Sequence, residues 1–343
     1  MLIFLLLVST QSHAAFDFQQ LNYFTSIEIL YPDIAAGDLD GDDDIDLLIC
    51  DSNGAIYYLE NKGTESNPIL NTAYLEEGYI TDADAYFGSN MLIELVDLDS
   101  DGDLDLLTGE YDGYFGYLEN TGSATNPEFD GENYDGDFIS GASDYSHTSI
   151  SAADMDDDGD VDLIVTNYLN YFYYLENTGS DVTPSFNVSS MEEILFADTG
   201  DDMRLYYYPN HTLADIDGDG DFDIVMGETY GNVAVYINSG SESRYQFLST
   251  DTVLIAYNDS GNDLDFNKKA SPALADFNDD GLIDLVVAGG NGYSESYIHL
   301  LTNSGDSDDY AFNENDGAIL YNYDKYGSTL IPAVYDAAVV TAA

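Results

Sequence analysis

The chain is 343 residues long, 44% hydrophobic and 13% aromatic, enough apolar material for a packed core and too much for wholesale disorder. Its 67 acidic residues against 6 basic ones leave a formal charge of -61, a field that repels nucleic acid and anionic membrane surfaces and attracts cations. A single cysteine, Cys50, excludes an internal disulfide framework, so stability has to come from packing or from metal.

At the N-terminus, MLIFLLLVSTQSHA places an apolar run, Leu2 to Val8, before small residues at Ser12 and Ala14. This predicts a secretory signal peptide over residues 1–14 and an exported protein, secreted or held at the cell surface. The n-region lacks Lys and Arg, and a buried first strand is the alternative reading. The run is too short to span a bilayer, and no membrane span is expected further along.

Residues 15–343 read as one repeat domain. GDLDGDDDIDLLI starts at Gly37, VDLDSDGDLDLLT at Val96, ADMDDDGDVDLIV at Ala153, ADIDGDGDFDIVM at Ala214 and ADFNDDGLIDLVV at Ala275. The leading aspartates, Asp38, Asp97, Asp154, Asp215 and Asp276, are spaced by 59, 57, 61 and 61 residues. About ten residues after each acidic run comes YYLENKG, GYLENTG, YYLENTG, AVYINSG or HLLTNSG. In three units Asn67-Pro68, Asn126-Pro127 or Thr183-Pro184 follows. Within each unit, apolar residues precede and follow the acidic loop. A Gly- or Asn-containing turn, a Tyr-rich alternating strand and an outer strand after the proline come next. About four antiparallel strands per repeat, with no helical periodicity, predict an all-β propeller packed radially from blades; a β-solenoid normally has much shorter coils.

The period extends once more. Pro332-Ala333-Val334-Tyr335-Asp336 matches Pro272-Ala273-Leu274-Ala275-Asp276, but the aspartates then stop, which predicts an incomplete sixth repeat near 330–343. Phe16 and Phe18 resemble an outer strand. The expectation is about five full blades plus a partial one, in a ring left unfinished.

These units resemble the FG-GAP/VCBS repeats, the blades of integrin-alpha-like calcium-binding propellers. The resemblance implies that each acidic loop, at 38–46, 97–105, 154–162, 215–223 and 276–284, joins the first two strands of its blade and binds calcium, about five ions in all. Calcium takes six to eight hard oxygen ligands, which alternating carboxylates and a carbonyl supply. Loop positions 1, 3, 5 and 9 offer side chains: Asp38, Asp40, Asp42 and Asp46; Asp97, Asp99, Asp101 and Asp105; Asp154, Asp156, Asp158 and Asp162; Asp215, Asp217, Asp219 and Asp223; Asp276, Asn278, Asp280 and Asp284. Position 7 would give its carbonyl, from Asp44, Asp103, Asp160, Asp221 and Leu282. Position 6 is glycine except in the first loop, where Asp43 must take its left-handed backbone. Position 12 is never glutamate and no helix follows, so the loops are not EF-hands. The alternative is a set of solvated acidic turns.

No zinc-ligand spacing involves His13, His147, His211 or His299, and no nucleophile elbow or phosphate-cradling loop occurs. Clusters such as Tyr171 to Tyr174 and Tyr206 to Tyr208 either stack on sugars and partners or pack half-buried between blades. Asn187, Asn210 and Asn258 begin glycosylation sequons. No catalytic constellation stands out. The resulting expectation is an extracellular interaction or adhesion scaffold whose partner is a protein or carbohydrate, with no nucleic acid and no catalytic residues. The alternatives are a carbohydrate-active propeller such as a polysaccharide lyase, and a structural part of a larger surface protein.

Overall fold

Each acidic loop is flanked by short apolar runs, and each run becomes a strand of a small antiparallel sheet. The structure, a computed structural model, describes residues 29–324 apart from 65–67, 81–86, 140–147, 168, 170, 204–208, 242–243, 257–268, 291–294, 304 and 306–311. The expected signal peptide, Phe16, Phe18, Tyr206 to Tyr208 and the expected sixth repeat lie outside the described residues.

Blade one consists of β1 (Asp33–Gly37), β2 (Asp46–Cys50), β3 (Ile56–Asn61) and β4 (Leu70–Glu77). Blade two has three strands, β5 (Leu92–Val96), β6 (Asp105–Gly109) and β7 (Phe115–Leu118). Blade three is β8 (Ser149–Ala153), β9 (Asp162–Thr166), β10 (Phe172–Leu175) and the two-residue β11 (Glu192–Glu193). Blade four is β12 (Asn210–Ala214), β13 (Asp223–Gly227), β14 (Val233–Asn238) and β15 (Phe247–Ala256). Blade five is β16 (Ser271–Ala275), β17 (Asp284–Gly290), β18 (Glu295–Asn303) and β19 (Phe312–Asp324). Each sheet runs in chain order from the first strand outward, and among the described residues the only helices are two three-residue 3-10 turns. One of them, Gly131–Asn133 capped by Asp130, stands where blade two would carry its outer strand; Tyr117 and Asp135 form only an isolated bridge there.

The second strands, such as DLLIC, DLLTG and DLIVT, are buried along their whole length because neighbouring blades cover both faces. Five apolar interfaces result. Leu48 and Tyr58 of blade one meet Ile93, Leu106 and Leu118 of blade two. Equivalent clusters join blades two and three, three and four, and four and five. The fifth joins Ala273, Val286, Ile298 and Leu300 of blade five to Ile34, Leu47 and Ile49 of blade one. The ring expected to be unfinished therefore closes on five blades. With each fully buried aliphatic side chain contributing about 1.5–3 kcal/mol, these seams dominate the fold's stability.

A polar belt reinforces the closure. Asp33, at the start of β1, accepts hydrogen bonds from the Ile93 backbone N–H of blade two, the Ser271 hydroxyl of blade five and the Asn210 amide of blade four. Ser149 of blade three donates to Asn210 Oδ1 at 2.8 Å. Burial raises the Asp33 carboxyl to about 6, against the lowering effect of Ser271, Ile93 and Lys269. Asn210 is buried in this belt, which leaves its sequon no room for a glycan. Among the described residues no helix is long and apolar enough to cross a membrane.

Candidate metal centre

Register fixes where each loop begins and ends. Gly37 pairs with Asp46, Val96 with Asp105, Ala153 with Asp162, Ala214 with Asp223 and Ala275 with Asp284. The aspartate at position 9 is thus the first residue of the second strand, and eight residues loop out between the paired positions. Two residues per loop take left-handed backbone. At position 6 these are Asp43 (φ 70°) and glycines such as Gly102 (φ 95°), as the sequence predicts. At position 4 they are Gly41, Ser100, Asp157, Gly218 and Asp279, a second turn that the mixed residue types concealed.

The curled backbone turns N–H groups onto the first aspartate. Asp38 accepts from Gly41 and Asp43 at 2.7 and 3.1 Å, and Asp97 accepts from Asp101 and Gly102 at 3.1 Å each. The position 5 carboxylate accepts from the N–H of position 7, as Asp101 does from Asp103 at 3.2 Å. The position 9 carboxylate ties the loop to its sheet. Asp105 accepts from the N–H of Leu98 at 3.3 Å, of Asn120 at 2.8 Å and from the Tyr117 hydroxyl at 2.9 Å. Tyr58 and Tyr174 donate likewise to Asp46 and Asp162, each at 2.8 Å. Blade four has Val235 at the equivalent place, so among the described residues the donors to Asp223 are the N–H groups of Ile216 and Asn238, at 3.0 and 2.7 Å.

What remains after this network points to a cation. One carboxylate oxygen at position 3 is buried and without a hydrogen-bond partner in four loops: Oδ1 of Asp40, Asp99, Asp156 and Asp217. Asp215 Oδ1 and Asp103 Oδ1 are in the same state, and Asp103 is only 6% exposed. Buried anionic oxygens without donors are costly, and a metal ion is a group that could satisfy them. The same four loops each bring three carboxylate oxygens within 4.8 Å of one another: Asp38, Asp40 and Asp42; Asp97, Asp99 and Asp101; Asp154, Asp156 and Asp162; Asp215, Asp217 and Asp223. In the fifth loop Asn278 stands where the other four carry the position 3 aspartate, and among the described residues Asp276, Asp280 and Asp284 form no such group of three carboxylates. An all-oxygen donor set of this kind fits calcium, whose ligation is flexible, better than magnesium, which demands strict octahedral geometry.

The electrostatics agree. Burial pushes the closing carboxyls up, Asp46 and Asp162 to about 6, Asp105 and Asp284 to about 7, and Asp223 to about 8. Asp40, Asp99, Asp156 and Asp217 are raised too, first by burial and then by the carboxylate at position 5 beside them. Position 7 was expected to matter through its carbonyl; the structure shows that Asp44, Asp103 and Asp221 also bury their side chains.

Residues 215–287 match the model of a family described as the FG-GAP-like repeat. The match runs from the fourth acidic loop to β17 of blade five, so it contains both the fourth and the fifth loops, and the first three loops lie outside the matched residues. No curated protein matches the chain. Among solved structures, a lectin of Agrocybe aegerita described as recognising non-reducing terminal N-acetylglucosamine is 21% identical, with a TM-score of 0.41 over 83% of this chain. The Tc holotoxin pore of Photorhabdus luminescens is 14% identical, with a TM-score of 0.37 over 82% of this chain. The chain spans 65% of the length of the lectin and 13% of that of the toxin chain.

Two sets of residues around the acidic loops escaped the sequence reading. One is the hydroxyls of Tyr58, Tyr117 and Tyr174, which sit a constant twelve residues after the closing aspartate. The other is Asn61, Asn120, Asn177, Asn238 and Asn303, whose N–H groups hold that aspartate. Their side-chain oxygens accept from the next turn, as Asn120 does from Gly122 and Glu128 at 3.1 and 2.9 Å. Their signal was the asparagine in each LEN, YIN or LTN triplet. Of the histidines, His211 is buried with Nε2 3.0 Å from the Ile164 carbonyl, and His147 lies outside the described residues.

Proposed function

We propose that the chain is an exported, calcium-stabilised propeller that acts as an interaction scaffold, recognising a carbohydrate or a protein outside the cell. The observation that carries the calcium reading is the repeated buried oxygen without a donor at position 3, on Asp40, Asp99, Asp156 and Asp217. The side-chain ligands are those of positions 1, 3, 5 and 9, with the position 7 residue closing the set. Bound there, the ion neutralises carboxylates that burial otherwise disfavours and locks the turn between the first two strands of each blade. The other end of the blades offers the binding face. Its hairpins carry the exposed side chains of Tyr111 and Tyr114 in blade two, Leu169 in blade three and Tyr230 in blade four. Exposed aromatic rings beside acceptors suit stacking on sugar rings or on a partner's surface.

Basic groups for neutralising a uronate do not converge among the described residues: Lys62 pairs with Glu60, and Lys269 lies over the Tyr31 ring at 5.1 Å. The test is a glycan array with the calcium-loaded protein, run alongside assays for new reducing ends and unsaturated products. Binding without turnover supports recognition. Turnover supports a lyase, and neither supports a structural part of a surface protein. Residues 1–14 are proposed to be removed on export, which N-terminal sequencing of secreted protein checks.

A further inference from the structure

The first strands of the blades, β1, β5, β8, β12 and β16, touch one another in a closed ring around the propeller axis. Neighbouring blades cover their faces and the second strands cover their outer edges, so what remains accessible on them faces the axis or its mouth beside the acidic loops. Ala36, Glu94, Val96, Ala152, Leu274 and Ala275 are half-buried positions of this kind, which marks an axial bore.

Register aligns the strands in layers. Four residues before the partner of each closing aspartate stand Asp33, Leu92, Ser149, Asn210 and Ser271, the layer of the polar belt. Two residues before it, on the same sides of the strands, stand Ala35, Glu94, Ser151, Thr212 and Ala273. The polar members of the belt bond one another, and the second layer is left unsatisfied. Glu94, its one carboxylate, accepts no hydrogen bond among the described residues, and burial, then the charge of Asp33, hold its carboxyl well above the usual carboxylate range. Ser151 is 0% exposed, and its hydroxyl has no partner among the described residues. Ser149 turns its hydroxyl into the belt, which puts that of Ser151 in the layer of Glu94. Ile93 and His211 send their N–H groups into the belt and not to their second strands, so their carbonyls, and those two residues further on, face the axis as well.

The layer thus holds an anionic oxygen without a donor, hydroxyls and carbonyls, all of them ligands for a hard cation. Lys269 offsets the charge of Asp33, which leaves Glu94 as one uncompensated negative charge. A single carboxylate among neutral oxygens balances a single positive charge. We propose that a monovalent metal cation, sodium or potassium, binds in the axial bore against Glu94, with the hydroxyls of Ser151 and Thr212 and first-strand carbonyls completing its oxygen shell. The ion keeps Glu94 ionised and ties blades two, three and four together at the axis. The net charge of -61 concentrates cations at the mouth of the bore.

The test is a set of thermal melts of the full chain in saturating calcium, with choline, sodium or potassium chloride at equal ionic strength. Sodium or potassium should raise Tm by about 2 °C or more over choline, because the ion binds only the folded state, and the salt with the larger rise identifies the ion. Glu94→Gln should remove that difference while melting no lower than the unaltered protein in choline. If Glu94 only packs as a neutral acid, the substitution lowers Tm equally in all three salts, which overturns the proposal. Equal melts of the unaltered protein in the three salts overturn it too, as does a cation response that survives Glu94→Gln. Should the variant fail to fold, crystals of the unaltered protein soaked in thallium(I) acetate decide: anomalous density on the axis against Glu94 supports the site, and none there overturns it.

Discussion

Replacing Tyr117 by phenylalanine deletes one oxygen and leaves the ring stacked on Phe138, 4.9 Å away between centroids. The hydroxyl it removes donates at 2.9 Å to Oδ2 of Asp105, a carboxylate only 1% exposed, so water cannot take its place. A hydrogen bond to a charged group contributes about 1.5–3 kcal/mol, and losing it from a buried acceptor costs the full amount. For a chain of this size the loss corresponds to a fall of roughly 2–4 °C in Tm. That is the expectation in chelator, where Asp105 depends on its protein donors alone. In saturating calcium the ion also neutralises the carboxylate, and the loss should shrink by half or more. The assay is differential scanning calorimetry of the unaltered protein and the variant, each with chelator and with calcium. Equal losses in the two conditions would refute the idea that hydroxyl and ion act on the same carboxylate. An unchanged melt in chelator would refute the hydrogen bond's contribution altogether.

Asn120→Ala leaves the N–H groups of Gly122 and Glu128 without their acceptor, and urea unfolding should show a loss of about 2–3 kcal/mol; a loss below 0.5 kcal/mol would mean that water replaces the amide. At Gly227, a Cβ would come within 2.3 Å of the Ala270 carbonyl oxygen across the seam between blades four and five. Gly227→Ala should therefore destabilise by about 1–3 kcal/mol, and a thermal melt equal to that of the unaltered protein contradicts the close approach. Burial lowers the His211 imidazole from 6.5 to about 4, against the bond to the Ile164 carbonyl that raises it. A base whose folded value is depressed contributes stability that is complete above its unfolded value and lost as pH falls toward the folded one. His211 should thus cost up to about 3 kcal/mol between pH 6.5 and 4. An imidazole resonance titrating near 6.5 by NMR would exclude this.

The acidic loops and their order were legible in the sequence because such loops are local: eight residues between two strands carry the carboxylates, the turn residues and the spacing. Strand content was legible for the same reason, since apolar runs such as DLLIC and DLIVT each specify a fully buried strand. The position 4 turn was not, because Gly41, Ser100, Asp157, Gly218 and Asp279 share a backbone conformation without sharing a residue type. Even the link between Tyr117 and Asp105 depends on a neighbouring strand, though its twelve-residue spacing is regular.

The sequence alone determined the period, the β architecture of each unit and the placement of carboxylates, all consequences of interactions within one repeat. Only the tertiary structure decided how many blades close the ring. Closure depends on apolar faces of blade five meeting those of blade one, and on Asp33 binding Asn210 and Ser271, 177 and 238 residues away. Radial packing angle and side-chain fit set that number, and neither is encoded in the spacing of any single repeat. The same holds for the buried oxygens of the loops: the aspartates are written in the chain, but which of their atoms lack a donor is settled only when the sheets pack around them.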